Sequence, residues 1–182
     1  MLTTAQVQQA RDRATEMLAA AGLVITSAER AVIEVVDFGL GDLEHLGVEM
    51  VVYVNTERVC AKELMLFPHQ TCAEHRHPPF AGTPGKEETF RVRKGVVYLH
   101  VEGGEPTPNP KAHPVRAERG VYTAEREIVL HPGEQFTVPP NTKHWFQGGP
   151  DGAVVSEFST QSRDDLDIFT DPEISRTPIQ TD

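Results

Sequence analysis

Cysteine is scarce in this chain, with two among 182 residues, Cys60 and Cys72. Two thiols cannot build a disulfide framework, so the chain reads as a reduced, cytoplasmic protein with two buried free cysteines. Basic charge is also short: 17 Lys+Arg stand against 27 Asp+Glu, a formal charge of -10. Such a chain repels a phosphate backbone, and its densest basic stretch, Arg91 to Lys94, holds only three cations. Nucleic acid is therefore not an expected partner. No apolar run approaches the roughly 18 residues of a membrane span, so no membrane partner is expected. The N-terminus lacks the basic flank and apolar segment of a signal peptide. An internal repeat and a long linker are missing too, and the length fits one domain.

What is present divides unevenly along the chain. Thr3 with Gln6 has capping-box spacing, and Val7, Ala10, Ala14, Met17, Leu18 and Ala21 follow at helical intervals until Gly22. Thr26 with Glu29 opens a second, short helix before Gly39 and Gly41. Short β-rich runs occupy the rest: 49–54, 59–67, 89–101, 122–130, 135–138 and 154–159. Asn55-Thr56-Glu57 closes a hairpin between the first two, and Pro/Gly-rich segments, among them Gly148–Gly152, separate the later ones. The expected fold is mainly β, an antiparallel sandwich or small barrel. Its parts are a helical cap over residues 1–40, the barrel over 41–172 and a tail over 173–182, loosely ordered or lying over a neighbour.

His75 and His77 stand two apart, so on an extended strand both imidazoles face one side and can meet one cation. Glu87 and Glu88 follow, and Glu88 precedes Gly95 in the form Glu-x6-Gly. A third imidazole, His144, ends the segment that runs from Gly133 through Pro139-Pro140-Asn141. Together these resemble the two cupin motifs, Gly-x5-His-x-His-x(3,4)-Glu-x6-Gly and Gly-x5-Pro-x-Gly-x2-His-x3-Asn. Matched residue by residue, the resemblance makes His75, His77, Glu88 and His144 the ligands of one divalent metal in a single-domain jelly-roll barrel. Four positions depart from the pattern. His69 replaces the opening glycine, ten residues separate His77 from Glu88, Asn141 replaces a glycine, and the final Asn is missing from Gln147-Gly148. Asn is a fair substitute, because it tolerates left-handed backbone.

The insertion Pro78–Glu87 and the segment Pro139–Phe146 narrow the likeness. So do Ser156-Glu-Phe-Ser-Thr160, Asp167-Ile-Phe-Thr-Asp171-Pro172 and Val36-Asp-Phe-Gly-Leu-Gly41. The chain resembles bacterial D-lyxose isomerases over about residues 25–175. The resemblance implies an aldose–ketose isomerase of D-lyxose and D-xylulose, with D-mannose and D-fructose as a second pair. It also implies a monosaccharide substrate, a homodimer and Mn(II). The ligand types alone permit Fe, Co, Ni or Zn equally.

The chemistry needs a base to shuttle a proton and a cation beside the developing enediolate oxygen. Glu157 is the candidate base: Val155, Glu157 and Ser159 share a strand face, and a turn at Gly148–Gly152 with a return strand brings it back toward His144. Lys62 interrupts the apolar run 59–67 on the face of Leu64 and Leu66, which is costly unless the lysine is paired or functional. Lys62 and Lys86 are the candidate cations. Trp145, Phe146, Phe90 and Tyr98 are candidates for lining the pocket, and His69 for a supporting role. Asp167 or Arg163 is placed to touch a sugar hydroxyl, against the alternative of a solvated face over Asp165, Asp167 and Asp171. Two other readings stay open, a non-haem Fe(II) cupin dioxygenase and a non-enzymatic sugar-binding cupin.

Overall fold

A computed structural model describes residues 2–176. Helix α1 (Thr4–Ala20) opens on the capping box of Thr3 and Gln6, each side chain accepting the other's backbone N–H. Its buried face, Val7, Ala10, Ala14 and Leu18, packs on Val35, Val51, Met65, Phe67 and Val154. Helix α2 (Ser27–Ala31) starts with the same device at Thr26 and Glu29. An N-cap of this kind contributes about 1 kcal/mol. The chain leaves helical structure well before Gly39: β1 (Glu34–Val36) pairs with β2 (Val48–Asn55) and so joins the barrel sheet. Val35 and Val36 explain this, since β-branched residues favour a pleated, buried surface over a helix.

The remaining strands are β3 (Cys60–Leu66), β4 (Thr71–Arg76), β5 (Glu88–Val101), β6 (Arg126–Leu130), β7 (Gln135–Val138), β8 (His144–Ser159) and β9 (Ile168–Phe169). All named strand pairs are antiparallel, and β5 and β8 lie side by side along their whole length. The late half of β8 has β3 on its other edge and the early half has β4. The two long strands thus belong to two sheets, β1-β2-β3-β8-β5-β7 and β9-β4-β8-β5-β6. The inner faces carry Met50, Leu64, Val92, Leu99, Phe146 and Val155, all buried, each contributing roughly 1.5–3 kcal/mol. This is the cupin barrel.

The segment Gly148–Gly152 is not a hairpin turn. It lies within β8, and there the register against β5 slips, between Gly95 and Val97. Gly95 and Gly152 both have positive φ, and a Cβ on Gly95 would sit 2.0 Å from the Gly152 carbonyl oxygen. Only glycine permits that approach, so the ribbon turns a corner and passes from one sheet to the other. Three strands also differ in extent from the β-rich runs: β6 begins at Arg126, and β4 and β9 lie outside them. Of the tail, Ser175 donates its N–H to the Phe38 carbonyl and Arg176 pairs with Glu34. Residues 177–182 lie outside the described residues. No described helix is long and apolar enough to cross a membrane.

Candidate active site

The corner in the β5–β8 ribbon decides where the site forms. Glu88 and His144 lie at opposite ends of the ribbon, Glu88 opposite Ser159 and His144 opposite Val101. Once the ribbon has bent, Glu88 Oε1 lies 2.7 Å from His144 Nε2 and 3.1 Å from His77 Nε2. His75 is the cross-strand partner of His144, and His77 follows the end of β4. One donor atom from each of His75, His77, Glu88 and His144 falls within 4.8 Å of all the others, and all four residues are buried.

The hydrogen bonds orient these rings. His75 Nδ1 lies 2.8 Å from the Ala73 carbonyl, His144 Nδ1 2.9 Å from the Thr142 carbonyl, and His77 Nδ1 2.5 Å from Asp167 Oδ1. With the Nδ1 side occupied by acceptors, the Nε2 side of each ring is the one left for a ligand, which is the pattern that prepares an imidazole to bind a metal. His144 Nε2 is buried without any hydrogen-bond partner, because its contact with Glu88 lacks hydrogen-bond geometry. An orphaned nitrogen facing a carboxylate and two further imidazoles fits a divalent cation, and three nitrogens with one oxygen suit a borderline ion such as Mn, Fe, Co, Ni or Zn.

A second layer of charge adjoins this cluster. Lys86 Nζ lies 2.5 Å from Glu88 Oε2 and 2.6 Å from Glu157 Oε1. The insertion before Glu88 positions it: Gly85 turns back onto the His77 carbonyl, where a Cβ would stand 2.3 Å from the oxygen. Lys62 pairs across strands with Glu157 and donates to Asp164 Oδ2 at 2.7 Å and Ser162 Oγ at 2.9 Å. Ser159 Oγ also donates to Glu157 Oε1, so both contacts fall on one oxygen and Oε2 has no side-chain partner among the described residues. Burial opposes charge on Lys62, Lys86, Glu88 and Asp164, but the pairing outweighs it. The Glu157 and Glu88 carboxylates hold Lys86 well above the usual lysine range, and Glu157 raises Lys62. Lys86 and the imidazoles hold Glu88 well below the carboxylate range, and Lys62 and Lys86 lower Asp164. Glu88 and Asp167 push His77 up to about 9.

Phe90 lines this pocket, as do Lys62, Lys86, Glu157 and Asp167. Asp167 places Oδ1 on His77 and so orients that ring. Trp145 is not at the pocket. Side chains alternate along β8, so His144 and Phe146 point inward and Trp145 outward, where it stacks on His100 at 3.9 Å and packs near Tyr122 and Tyr98. Tyr98 shares that outer cluster. His69 is exposed at positive φ in the β3–β4 turn, away from the site. Arg163 stacks over Phe80. The acidic segment is not a solvated face either: Asp171 is buried against Arg116, and only Asp165 is exposed. Glu87 is exposed and Glu88 enclosed, which separates the two neighbours. The sequence reading does not assign the apolar strand residues Val48, Met50, Leu64 and Cys72 to the pocket, nor four lining residues outside the long strands: Phe38, Asp164, Phe169 and Arg176. The latter four sit on short or irregular segments, where no periodicity marks an inward face.

Comparison with known proteins agrees with this geometry. The family model described as D-lyxose isomerase matches residues 24–182. A D-lyxose ketol-isomerase of Cohnella laeviribosi is 58% identical over 172 residues, covering 94% of both chains. A D-lyxose/D-mannose isomerase of Thermosediminibacter oceani is 57% identical over 178 residues, covering 98% of both. Among solved structures, the L-ribose isomerase of Acinetobacter sp. DL28 in complex with L-ribose superposes with a TM-score of 0.80 at 16% identity. It covers 95% of this chain and 94% of its own, a likeness of fold.

Proposed function

The chain belongs to the D-lyxose isomerase family, and on that premise we propose that it interconverts D-lyxose and D-xylulose, with D-mannose and D-fructose as a second pair. His75, His77, Glu88 and His144 hold one divalent ion, which we assign as Mn(II) on the family likeness. When bound, that ion supplies Lewis-acid polarisation at the carbonyl and the neighbouring hydroxyl.

Glu157 is the base. Its Oε2 takes the proton from C2 of the aldose and returns it to C1, while the O2 hydroxyl gives up its proton and O1 gains one. The sugar passes through an enediolate, and atoms balance without any other reactant. Lys86 fixes the orientation of Glu157 by holding its Oε1, and it also holds Glu88. Lys62, on the adjacent strand at the same level, places a cation near the developing oxygen charge. Three cationic and four anionic side chains line the pocket. With a divalent ion and neutral imidazoles the balance is about one positive charge, which favours an enediolate over a neutral sugar. The observation that carries the reading is the buried Lys86 bridge between a carboxylate of the metal cluster and a second carboxylate with a free oxygen.

The protein is further assigned to the cytoplasm, in keeping with its two buried free thiols, and to a homodimer, on the family likeness. An anaerobic coupled assay tests the main proposal. Metal-stripped protein is inactive, and Mn(II) restores turnover of D-lyxose and D-mannose over D-xylose. Activity that instead requires and consumes O2 points to the dioxygenase reading, and sugar binding without turnover points to a binding module.

A further inference from the structure

The segment Val36-Asp-Phe-Gly-Leu-Gly41 has no part in the proton transfer, yet it contains the least expected backbone of the pocket. The Leu40 N–H bonds the Asp37 carbonyl, and the two residues between, Phe38 and Gly39, have φ of 54° and 75°. A turn with positive φ at both centres is the type I′ pattern, which favours Asn, Asp or Gly at the position Phe38 takes. A bulky aromatic there is held only by its surroundings. The Asp37 carboxylate accepts the Gly39 and Gly41 N–H groups at 3.0 and 3.2 Å, and the Phe38 carbonyl accepts the Ser175 N–H at 2.9 Å.

The result is a ring placed in the pocket. Phe38 is buried and meets Phe169 edge to face at 5.5 Å, and Phe169 in turn lies 5.5 Å from His75. Apart from Phe169, every other lining residue from outside β2–β8 is polar: His77, Lys86, Asp164, Asp167 and Arg176. From His75 the wall of the pocket thus continues through two successive rings, Phe169 and then Phe38.

We propose that Phe38 is a specificity-determining residue, closing the pocket against the distal carbons and so limiting the chain length of the aldose that turns over. This rests on the isomerase reading above. The test compares Mn(II)-loaded wild type, Phe38→Leu and Phe38→Asn with D-lyxose and D-mannose, and measures Kd for a pentitol (D-arabinitol) and a hexitol (D-mannitol). Asn suits the turn and removes the ring, so it guards against a folding artefact in the leucine variant. One extra carbon unit in such a pocket is worth about tenfold or more. In both variants the D-mannose to D-lyxose ratio of kcat/KM should therefore rise about tenfold, and the Kd ratio of the alditols should move the same way. Equal losses on both sugars, or a shift in the leucine variant alone, overturn the proposal. A wild type that isomerises neither sugar overturns the isomerase reading itself.

Discussion

Glu74 and Glu88 are buried to nearly the same degree, 1% and 2% exposed, yet they are satisfied in opposite ways. Glu74, beside His75 on β4, accepts from four neutral donors: the N–H groups of Thr123 and Ala124 and the hydroxyls of Thr123 and Thr170. It fastens two loops to the barrel, and nothing is left over for a ligand. Glu88 faces an ammonium and two imidazoles, one with an unused nitrogen. A carboxylate saturated by neutral donors is architecture. One surrounded by unsaturated and charged groups is poised for chemistry. Glu49 makes a third case, buried under the helical side with Oε2 unpartnered and only a 3.3 Å contact from Gln70.

The largest effect should come from breaking the Glu88 side. His144→Ala should lose its metal on dialysis and with it all measurable turnover, with metal content read by mass spectrometry. Full occupancy would remove His144 from the ligand set. Next, Glu157→Gln should retain metal and sugar binding while kcat falls on the order of 10²-fold or more. Deuterium from solvent should then cease to enter C2 of D-lyxose; continued exchange at the wild-type rate would move the base elsewhere.

The Glu74 side should respond in stability. Glu74→Gln puts an amide N–H against backbone N–H donors and should cost about 1–3 kcal/mol in denaturant unfolding, with metal content unchanged. Loss of metal without loss of stability would erase the contrast between the two carboxylates.

The smallest effect belongs to Glu49. Burial pushes its carboxyl well above the usual range, against a weaker opposing pull from Gln70 and Arg13. A folded-state pKa above the unfolded one means that the acid's contribution is full below the unfolded pKa, near 4.5, and is lost as pH rises through the folded value. Glu49→Gln should therefore melt higher than wild type at pH 8 and show no gain at pH 4. A gain independent of pH would show that charge is not what destabilises this position.

The amino-acid sequence by itself determined the local features: the two capping boxes, the apolar stripe on α1, most of the strands and the identity of the four clustered donors. Each is carried by a few neighbouring residues whose spacing matches a helix turn, a strand pleat or a ligand pair. It could also place Glu157, Val155 and Ser159 on one face, because alternation along a strand needs no partner. Tertiary structure alone decided that opposite ends of the β5–β8 ribbon meet, because the corner depends on Gly95 and Gly152 passing within contact of each other. Read from the sequence alone, the Gly148–Gly152 segment indicates a turn followed by a return strand. Trp145 was misplaced for a related reason: its position next to His144 in sequence puts it on the opposite face of the strand. Asp164, Phe169, Arg176 and Phe38 reach the pocket from short or irregular segments, whose direction comes from long-range hydrogen bonds and ion pairs such as Ser175 to Phe38 and Arg176 to Glu34. Periodicity has no information about such contacts, and only the folded chain brings them together.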